Sequence, residues 1–397
     1  MPRIALVASA LALAACTDLT VSSVDPAVVE QGVAADLSVS GSGFADGLSL
    51  SLSRLGVDVT LGAVAAVDAE TATARVAATT PAGIYDVVAE QGGARATLEG
   101  ALTVASGAAR FVFVDVGQGD ATIVIAPDGE TLLIDGGRVE AAGDVRRALD
   151  TYAAGRLDVV VVSHFDVDHV GGVVEILAGQ DGVPGNDDDL VPTDLLVPSG
   201  LDACDAQVCA RLRAVRAVPR VAVVDEVLAL GLLEPRVVAV DGAVTGGAVV
   251  AGVDDNGKSV VVEIAWGGRR VLVLGDVTGG GLSTVDVEGP LSEQTGSVDV
   301  LRVAHHGSAT SSNGVAIARF APGLAVVSVG SENTYCHPEP SALTRVSQAS
   351  GEVLLTGRGI VVDADRCDGA TPTFANVRAD LGDIEVAISA DGEITHP

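Results

Sequence analysis

Aromatic residues, lysine and basic residues in general are scarce in this chain of 397 residues. Only 3% of the residues are aromatic, whereas 48% are apolar and 48 residues are glycine. A composition rich in Val, Ala, Gly and Thr predicts short strands and tight turns rather than long helices. Acidic residues outnumber basic ones by 53 to 23, which gives a formal net charge of −30. A surface of that sign repels polyanions, so the composition argues against a broad basic nucleic-acid-binding face.

Apolar runs long enough to span a membrane are also missing. The most distinct shorter apolar run lies at the start of the chain. Residues 1–16, MPRIALVASALALAAC, carry one arginine, an apolar stretch and then small residues. This is the pattern of a secretory signal peptide, and the stretch is too short to span a membrane. LALAAC resembles the lipobox of bacterial lipoproteins, which implies lipidation of Cys16; an ordinary signal peptide with a chance cysteine is the alternative. Because Thr17 follows, the resemblance favours export to the outer membrane of the cell envelope.

Four further cysteines are present: Cys204, Cys209, Cys336 and Cys367. An even number in an exported chain favours disulfides. Pairing Cys204 with Cys209 and Cys336 with Cys367 is the simplest arrangement, and the two other pairings stay open. A zinc site made of thiolates is the rival interpretation, but none of these spacings matches a zinc knuckle.

Residues 20–105 alternate short apolar runs with turn signals, as in GIYDVVAEQGG and ATLEGALTVA. This rhythm predicts a small β-sandwich. The phrases VDPAVVEQGVAADLSVSGSGF and PAGIYDVVAEQ resemble the IPT/TIG immunoglobulin-like domains of bacterial surface proteins, which implies a spacer or a binding module. Residues 106–110, within ASGAAR, are interpreted as a linker.

Residues 111–397 mix strands with helices. FVFVDVGQGDATIVIAPDGETLLIDGG predicts three strands with Asp135 at a strand end, EAAGDVRRALDTYAAG predicts a helix, and DVVVVSHFD predicts another strand. Strands and helices in this mixture, with polar residues at the strand ends, predict an α/β layered domain whose site lies at one sheet edge.

Five of the six histidines fall in three short motifs: SHFDVDHVGG (163–172), VAHHGS (303–308) and TYCHPEP (334–340). In an extended segment residues two apart point the same way, so His164 and Asp166 can bind one metal ion while Asp168 and His169 reach a second. Asp276, at the end of VLVLGD, can bridge the ions, since two close cations need carboxylates between them. The pattern therefore predicts a site for two divalent metal ions.

Together, LIDGG, SHFDVDHVGG, VLGD and VAHHGS resemble the metallo-β-lactamase superfamily. VDVGQGDATIV, the central Asp of H-x-D-x-D-H, HHGS followed by serines, and a Y-x-H-P are similar to the variant attached to the ComEC DNA-uptake proteins. The resemblance covers about residues 111–395 and implies an αββα sandwich with a dinuclear metal site and a hydrolytic activity. It implies that Asp135 orients a ligand histidine and that His337 faces the substrate or the metal. The implied metal ligands are His164, Asp166, Asp168, His169, Asp276 and one of His305 and His306.

Two departures from the superfamily pattern affect the first metal position. Most members have histidine where this chain has Asp166. A further ligand histidine is expected before VLGD, yet no histidine lies between His169 and His305, and Asp255 or Asn256 is near that position. The first site is therefore richer in oxygen, which favours weak occupancy, or Mn²⁺ rather than Zn²⁺.

The resemblance implies hydrolysis by a metal-bound hydroxide, because such a site lowers the pKa of water towards ~7. Asp168 and Asp276 are expected to be catalytic, and His337, or whichever of His305 and His306 is not a ligand, to donate a proton to the leaving group. The run GSATSSN supplies hydroxyls suited to phosphate oxygens, and a plain polar loop is the alternative. The hydroxyls expected to contact the substrate belong to Ser308, Ser311 and Ser312.

The ComEC resemblance implies hydrolysis of a phosphodiester, either DNA or a smaller phosphoester, outside the cytoplasm. Residues 110–397 hold 42 acidic and 19 basic residues, and no basic track is visible. A small phosphodiester therefore fits the charge better than a long nucleic acid. Hydrolysis of lactones or β-lactams is the alternative within enzymes, and a non-catalytic surface-anchored binding protein is the alternative outside them. The lipid anchor is the expected membrane contact, and the sequence indicates no partner protein.

Overall fold

The computed structural model describes residues 18–54, 57–204, 207–331, 335–359 and 374–397. The chain divides into two compact units, Met1–Ser106 and Gly107–Pro397. The predicted signal segment 1–16, with the lipidation site Cys16, lies outside the described residues. In the part of the chain that is described, no helix is both long enough and apolar enough to cross a membrane.

Two sheets form the described part of the first unit, with strand orders β1-β3-β7-β6 and β2-β9-β8-β4-β5. The strands are β1 Thr20–Asp25, β2 Val28–Glu30, β3 Ala35–Ser42, β4 Ser49–Arg54, β5 Val57–Thr60, β6 Gly62–Ala66, β7 Thr71–Val76, β8 Gly83–Gln91 and β9 Ala94–Ala105. Alternate residues, such as Leu50 and Leu52 of β4, point into one apolar core, as expected from the two-residue period of a strand. The β-rich fold predicted for residues 20–105 is confirmed.

The second unit contains two larger mixed sheets. The first has the order β15-β14-β13-β12-β11-β10-β25-β26 and the second the order β18-β17-β16-β19-β20-β21-β22-β23-β24. The strands of the first are β10 Ala108–Phe113, β11 Thr122–Ile125, β12 Thr131–Ile134, β13 Val159–Val161, β14 Asp194–Val197, β15 Arg220–Val221, β25 Ile384–Ser389 and β26 Ile394–Thr395. Those of the second are β16 Arg236–Val240, β17 Ala243–Val244, β18 Ala248–Val249, β19 Val261–Trp266, β20 Arg269–Val273, β21 Val300–Arg302, β22 Leu324–Val327, β23 Glu352–Leu355 and β24 Val377–Arg378.

Helices connect these strands, and short 3₁₀ turns supplement them. The helices are α1 Ala142–Ala153, α2 Val167–Leu177, α3 Gln207–Leu212, α4 Glu288–Thr295, α5 Gly314–Phe320 and α6 Pro340–Ala349. The 3₁₀ turns are Val139–Ala141, Leu201–Ala203, Thr245–Gly247, Asn256–Lys258, Gly281–Ser283 and Ala304–Gly307.

The alternation of side chains along the strands produces four layers. In β10, Phe111 and Phe113 join a core between the two sheets, whereas Val112 joins a core shared with α1, α2 and α3. In β20, Val271 likewise faces the core between the sheets, and Leu272 faces the core shared with α4, α5 and α6. Each sheet is therefore apolar on both faces and needs cover on both. The predicted αββα sandwich is confirmed.

The segment expected to be a linker, 106–110, is partly a strand. Residues Ala108–Phe113 form β10 and pair in register with β25. The boundary between the two units falls between Ser106 and Gly107, inside the expected linker, so only residues 108–110 differ from the expectation. They are in a strand because β25, near the end of the chain, supplies hydrogen-bonding partners for small residues that carry no strand signal of their own,.

Candidate metal centre

The candidate site lies where four strands of the second unit end. Asp135 follows β12, His164 follows β13, Asp276 follows β20 and His306 follows β21. β12 runs parallel to β13 in one sheet, and β20 runs parallel to β21 in the other. Because parallel strands present their carboxyl ends at one edge, each sheet brings two of these side chains together. The two sheet edges meet at this site: His169 Nε2, from the segment that follows β13, lies 3.3 Å from Asp276 Oδ2, which follows β20.

The motif SHFDVDHVGG turns from β13 into α2 within a few residues. Asp166 occupies the position before the first helical residue, but its side chain does not cap the helix. His169 lies in the first turn, which brings its ring centroid to 4.2 Å from that of His164. Gly172 permits this close packing of α2, because a Cβ there would overlap the carbonyl oxygen of Gly136,.

Asp135 holds His169 in one orientation, as the resemblance implies. Its Oδ2 lies 2.8 Å from His169 Nδ1 and accepts the Ser163 hydroxyl at 2.5 Å, while its Oδ1 accepts the Ser163 N–H at 2.7 Å. All three residues are buried. A carboxylate at Nδ1 keeps the proton on that nitrogen and leaves Nε2 of His169 available to a metal ion.

Asp276 is the centre of the cluster. Its Oδ2 lies 3.3 Å from Nε2 of His169, 3.6 Å from Nε2 of His306 and 3.7 Å from Nε2 of His305. Its backbone N–H donates to the hydroxyl of Ser259 at 3.0 Å, and its side chain is only 3% exposed. A carboxylate oxygen placed this close to imidazole nitrogens can bind a divalent cation together with them.

The two adjacent histidines of VAHHGS have different environments. Both adopt left-handed backbone angles, with φ of 51° and 53°. His306 is buried, its Nδ1 lies 2.9 Å from the Ser328 carbonyl oxygen, and its Nε2 is 3.8 Å from Asp168 Oδ2. His305 is partly exposed, and its Nδ1 lies 2.9 Å from Thr310 Oγ1. His306 is therefore the member of the pair that is oriented as a ligand, whereas His305 lines the opening of the site.

The donor set fits divalent cations. His164, His169 and Asp276 form one group, and Asp168, His169 and His306 form another, with the ligand atoms of each group within 4.8 Å of one another. The Nε2 atoms of His164, His169 and His306 are buried, and none has a hydrogen-bond partner among the described residues. Because unpaired buried polar atoms are costly, their convergence indicates a metal site. Asp120, Asp135 and His169 form a third group.

The pKa values of the clustered side chains are shifted in different directions by burial and by neighbouring charges. Burial raises the pKa of Asp276, but His169, His306 and His305 together hold it well below its usual range, so this carboxylate is ionised. Burial keeps the pKa of His306 well below normal, so its imidazole is neutral. Although burial opposes it, the carboxylates of Asp276 and Asp135 raise the pKa of His169 well above normal. A cation at His169 therefore competes with a proton.

Asp166 lies beside His164 at the edge of the site. Its side chain is 54% exposed, and its Oδ2 lies 3.6 Å from His164 Nε2, although it is not a member of the three groups above. Asp168 and His169 belong to one group, and His169 also belongs to the group of His164. Because α2 begins at Val167, its first turn brings His169 close to His164. The expected division, with His164 and Asp166 on one ion and Asp168 and His169 on the other, stays a prediction.

The serines of GSATSSN are in an arrangement that favours the alternative of a plain polar loop, and their contact with a substrate stays a prediction. Ser308, Ser311 and Ser312 are all buried. The hydroxyl of Ser311 donates to Ala304 O, and that of Ser308 accepts from Thr310 N–H. Ser308 and Ser311 therefore bond within their own loop, whereas the buried hydroxyl of Ser312 has no hydrogen-bond partner among the described residues.

Neither Asp255 nor Asn256 is seen to take the place of the missing histidine. The Asp255 carboxylate is 70% exposed and pairs with Lys258 at 2.7 Å. Asn256 begins a 3₁₀ turn, and the residue that reaches Asp276 from this segment is Ser259. Ser259 is buried, and it supports the Asp276 backbone.

The opening of the site carries His337, Tyr335 and Arg138. The His337 ring centroid is 5.7 Å from that of His305 and 6.1 Å from that of Tyr335. The rings of His337 and Tyr335 are nearly parallel. Arg138 Nη2 lies 3.4 Å from the Tyr335 hydroxyl, and its Nε lies 3.3 Å from Gln118 O. Burial and the neighbouring His305 lower the pKa of His337 to about 4. His337 is therefore neutral at pH 7, which disagrees with its expected role as a proton donor.

Three buried residues at the site were missed by the motif reasoning: Ser163, Asp120 and Arg302. Arg302 and Asp120 form an ion pair at 2.7 Å, and both side chains are completely buried. A signal was present for both, because an arginine interrupts the apolar strand VDVLRVAHHG and an aspartate ends the motif VDVGQGD. A charged residue inside an apolar strand is rarely buried without a partner.

One of the two expected disulfides falls within the described residues. Cys204 and Cys209 are bonded to each other. Cys336 is disulfide-bonded, and Cys367 lies outside the described residues, so that second pairing stays a prediction.

The family model for the Metallo-beta-lactamase superfamily matches residues 114–331, more than half of the chain. The chain belongs to this superfamily. The match contains the strand-end aspartates and histidines of both sheets, and it confirms the resemblance inferred from the motifs.

Three curated relatives of this superfamily member are large proteins. It is 41% identical over 105 residues to Competence protein ComA of Neisseria gonorrhoeae, covering 26% of this chain and 14% of that protein. It is 27% identical over 266 residues to ComE operon protein 3 of Bacillus subtilis, covering 61% and 31%. Recombination protein 2 of Haemophilus influenzae is 26% identical over 246 residues, covering 60% and 26%. The chain thus matches less than a third of the length of each relative.

Solved structures of the superfamily are also similar. MEM-A1, a subclass B3 metallo-beta-lactamase from a soil metagenome library, shares 18% identity, with 50% of this chain and 81% of that chain covered and a TM-score of 0.29. A metallo-beta-lactamase from Staphylococcus aureus shares 10% identity, with 65% and 57% covered and a TM-score of 0.29.

Proposed function

We propose that the chain is a metal-dependent phosphodiesterase that binds two divalent cations and hydrolyses a small phosphodiester. The observation that carries this proposal is the convergence of His169, His305 and His306 on one oxygen of Asp276. Superfamily membership supports a hydrolytic role for such a centre.

The donors suit Zn²⁺ or Mn²⁺. All three groups of possible ligands combine imidazole nitrogen with carboxylate oxygen, and none contains a thiolate. Imidazole suits zinc and carboxylate suits manganese, so the two metals compete for such a site. Held by these residues, the cations would polarise phosphoryl oxygens and supply a water-derived nucleophile near neutral pH.

The chain's own residues would orient both the ligands and the substrate. Asp135 keeps the proton on His169 Nδ1, and Ser328 O does the same for His306 Nδ1. His337, neutral at pH 7 because burial and His305 lower its pKa to about 4, would offer the substrate a hydrogen-bonding nitrogen. His305, partly exposed beside it, would donate the proton to the leaving oxygen from Nε2,.

Two observations favour a phosphoester over a lactone. The curated relatives are named for competence and recombination, and both names suit chemistry on DNA. Arg138 supplies a cation beside Tyr335 at the opening, and a guanidinium is suited to phosphate oxygens,. The excess of 42 acidic over 19 basic residues in 110–397 favours a small substrate over long DNA,.

A substrate panel tests the activity. Purified full-length protein would be incubated with Mn²⁺ or Zn²⁺ and, separately, bis-p-nitrophenyl phosphate, plasmid DNA, lactones and a β-lactam. We expect hydrolysis of the aryl phosphodiester. Cleavage of lactones or the β-lactam alone would reject phosphoester chemistry, and degradation of plasmid DNA at a comparable rate would reject the restriction to small substrates.

We also propose that the protein is exported and anchored to the envelope, in the outer membrane, through Cys16. The lipobox-like LALAAC supports this, and the Cys204–Cys209 disulfide suits an oxidising compartment,. In cells fed labelled palmitate, the full chain should be labelled and sediment with outer membranes, whereas Cys16→Ser should do neither. Labelling of the variant to the same extent would contradict the assignment.

A further inference from the structure

A guanidinium group lies completely buried beneath the metal centre. Arg302 is the largest fully buried side chain of the described residues. Its Nη2 lies 2.7 Å from Asp120 Oδ2, and its Nη1 donates to the carbonyl oxygen of Gly275 at 2.6 Å. Gly275 immediately precedes Asp276, so Arg302 holds the backbone that carries the central carboxylate.

The Arg302 guanidinium gives the two carboxylate oxygens of Asp276 different neighbours. Asp276 Oδ1 faces Arg302 Nη1 at 3.6 Å, whereas Oδ2 faces the three imidazole nitrogens. The planar fork of arginine binds several acceptors in fixed directions, which a rotating ammonium group cannot do. Arg302 therefore favours one orientation of the carboxylate, with Oδ2 directed at the metal positions.

Asp120 connects this arginine to the other sheet. Its backbone N–H donates to Asp168 O at 3.1 Å, and its carbonyl oxygen accepts the Gly137 N–H at 2.7 Å. Asp168 is a member of the second metal group, and Gly137 follows Asp135 closely in sequence. The ion pair thus joins an arginine from β21 to the loops that carry the ligands of the first sheet.

Stability alone does not account for such a pair. Removing both charges from water is costly, and replacing a buried ion pair by apolar residues of similar volume is often neutral or stabilising. Both side chains here are completely buried, the Arg302 side chain donates to the backbone that carries Asp276, and the backbone of Asp120 bonds to that of Asp168. The contacts are directed at the ligands rather than at the surrounding core.

We propose that Asp120 and Arg302 are positioning residues that keep Oδ2 of Asp276 directed at the imidazole nitrogens which would hold the cations with it. Without them, the carboxylate would be free to rotate, and the residues would hold a second cation more weakly. This inference rests on the metal centre of the proposed function but not on the chemistry of the substrate.

Metal titration of full-length variants tests the inference. Metal-free protein would be titrated with Zn²⁺ in competition with a chromophoric chelator, and bound metal measured by elemental analysis. Wild type should bind two ions per chain. The double variant Asp120→Leu/Arg302→Met, which leaves no unpaired charge, should bind one, with the second weakened by about 10–100-fold, the range for residues that support metal ligands. Arg302→Lys should lie between them.

Arg110→Met is the matched control, because Arg110 is a partly buried arginine that pairs with Glu385 across β10 and β25. It should bind two ions as wild type does. A double variant with native circular dichroism and wild-type affinity for both ions would overturn the proposal. If the double variant does not fold, the Zn²⁺ titration of Arg302→Lys takes its place. Wild-type affinity of Arg302→Lys for both ions would then reject the positioning role.

Failure of this inference is distinguishable from failure of the proposed function. The expected loss of the second ion in a chain that hydrolyses no phosphodiester would reject the proposed substrate and support the positioning role. Hydrolysis of phosphodiesters, with two ions bound equally well by every variant, would reject the positioning role alone. Wild-type protein that binds no divalent cation would reject both.

Discussion

The two units have similar apolar strands but very different buried polar content. In the described part of the first unit, Thr80 is the single polar residue among the buried side chains. The second unit buries many ionisable groups between or beside its sheets. They are Asp120, Asp128, Asp135, His164, His169, Asp189, Asp276, Glu288, Arg302 and His306.

This difference separates a region whose interior is apolar from one that keeps buried ionisable groups at the candidate metal centre. Buried ionisable groups destabilise a fold unless they are paired, so a protein that keeps several of them at one place keeps them for another reason. In the second unit most of them collect around Asp276, whereas the sheets remain apolar. Asp128, Asp189 and Glu288 lie elsewhere. Four substitutions test this contrast.

Asp276→Ala should have the largest effect. It removes the oxygen on which three imidazoles converge, and loss of an ion ligand at a reacting centre is expected to lower kcat by about 10³-fold or more. Phosphodiester turnover and bound metal measure the effect. Asp36→Ala in the first unit, where Asp36 is exposed and pairs with Arg75, is the control and should leave both unchanged. Normal turnover by Asp276→Ala would mean that the cluster is not the reaction site.

Leu52→Ala should lower the stability of the protein and leave its turnover unchanged. Leu52 is completely buried in the core of the first unit, so truncation should lower the free energy of unfolding by about 2–5 kcal/mol through lost burial and a cavity. Phosphodiester turnover by the folded protein should stay at the wild-type value. Urea unfolding with hydrogen exchange in β4 and β20 checks this. A fall in turnover per folded molecule would show that the first unit contributes to the reaction.

The fold of the second unit was largely predictable because its signals are local. Strands such as β13 and β22 are continuous apolar runs, and the histidine motifs directly follow strands. The residue pattern alone indicated that His164, His169 and Asp276 would meet. By contrast, the start of β10 depended on pairing with β25 more than two hundred residues later, which no local pattern can indicate,.

The site was less predictable, because side-chain direction depends on backbone turns. Left-handed φ angles at His305 and His306 direct one ring inward and the other to the opening. The Ser311 hydroxyl donates to the backbone of its own loop, and Asp166 immediately precedes α2 with its side chain half exposed beside His164. Whether a polar residue serves a ligand or its own backbone is decided by such turns.

Glu288 is a buried ionisable group of the second unit, and it should make the stability of the protein depend on pH. Burial, together with Asp286, raises its pKa to about 7, although N–H donors from Ser312 and Asn313 and the charge of Arg345 oppose this. The folded state therefore keeps a proton that the unfolded chain releases above its pKa of 4.5. Stability from this group is complete below pH 4.5 and is lost as pH rises through about 7,.

The Glu288→Gln variant should remove this pH dependence, which is worth roughly 3 kcal/mol between pH 4.5 and pH 8 for the shift from 4.5 to about 7,. Glutamine cannot accept from both N–H groups, so a constant loss of about 1–3 kcal/mol is expected at every pH. Urea unfolding of both proteins at pH 5 and pH 8 measures the difference. A gap between the proteins that is the same at both pH values would contradict the buried-carboxyl account.

Arg138→Ala should have the smallest effect, on substrate affinity alone. Arg138 lies at the opening beside Tyr335 and belongs to neither metal group. A guanidinium that contacts substrate phosphate equally in the ground and transition states should, when removed, raise KM about tenfold, or ~1.4 kcal/mol, and leave kcat within about twofold. Arg147→Ala, on the solvent-facing side of α1 beside Asp144, is the matched control and should change neither constant. If Arg138→Ala instead lowered kcat at constant KM, the arginine would act on the reacting group itself, and the separation between a buried reaction centre and an exposed binding rim would have to be abandoned.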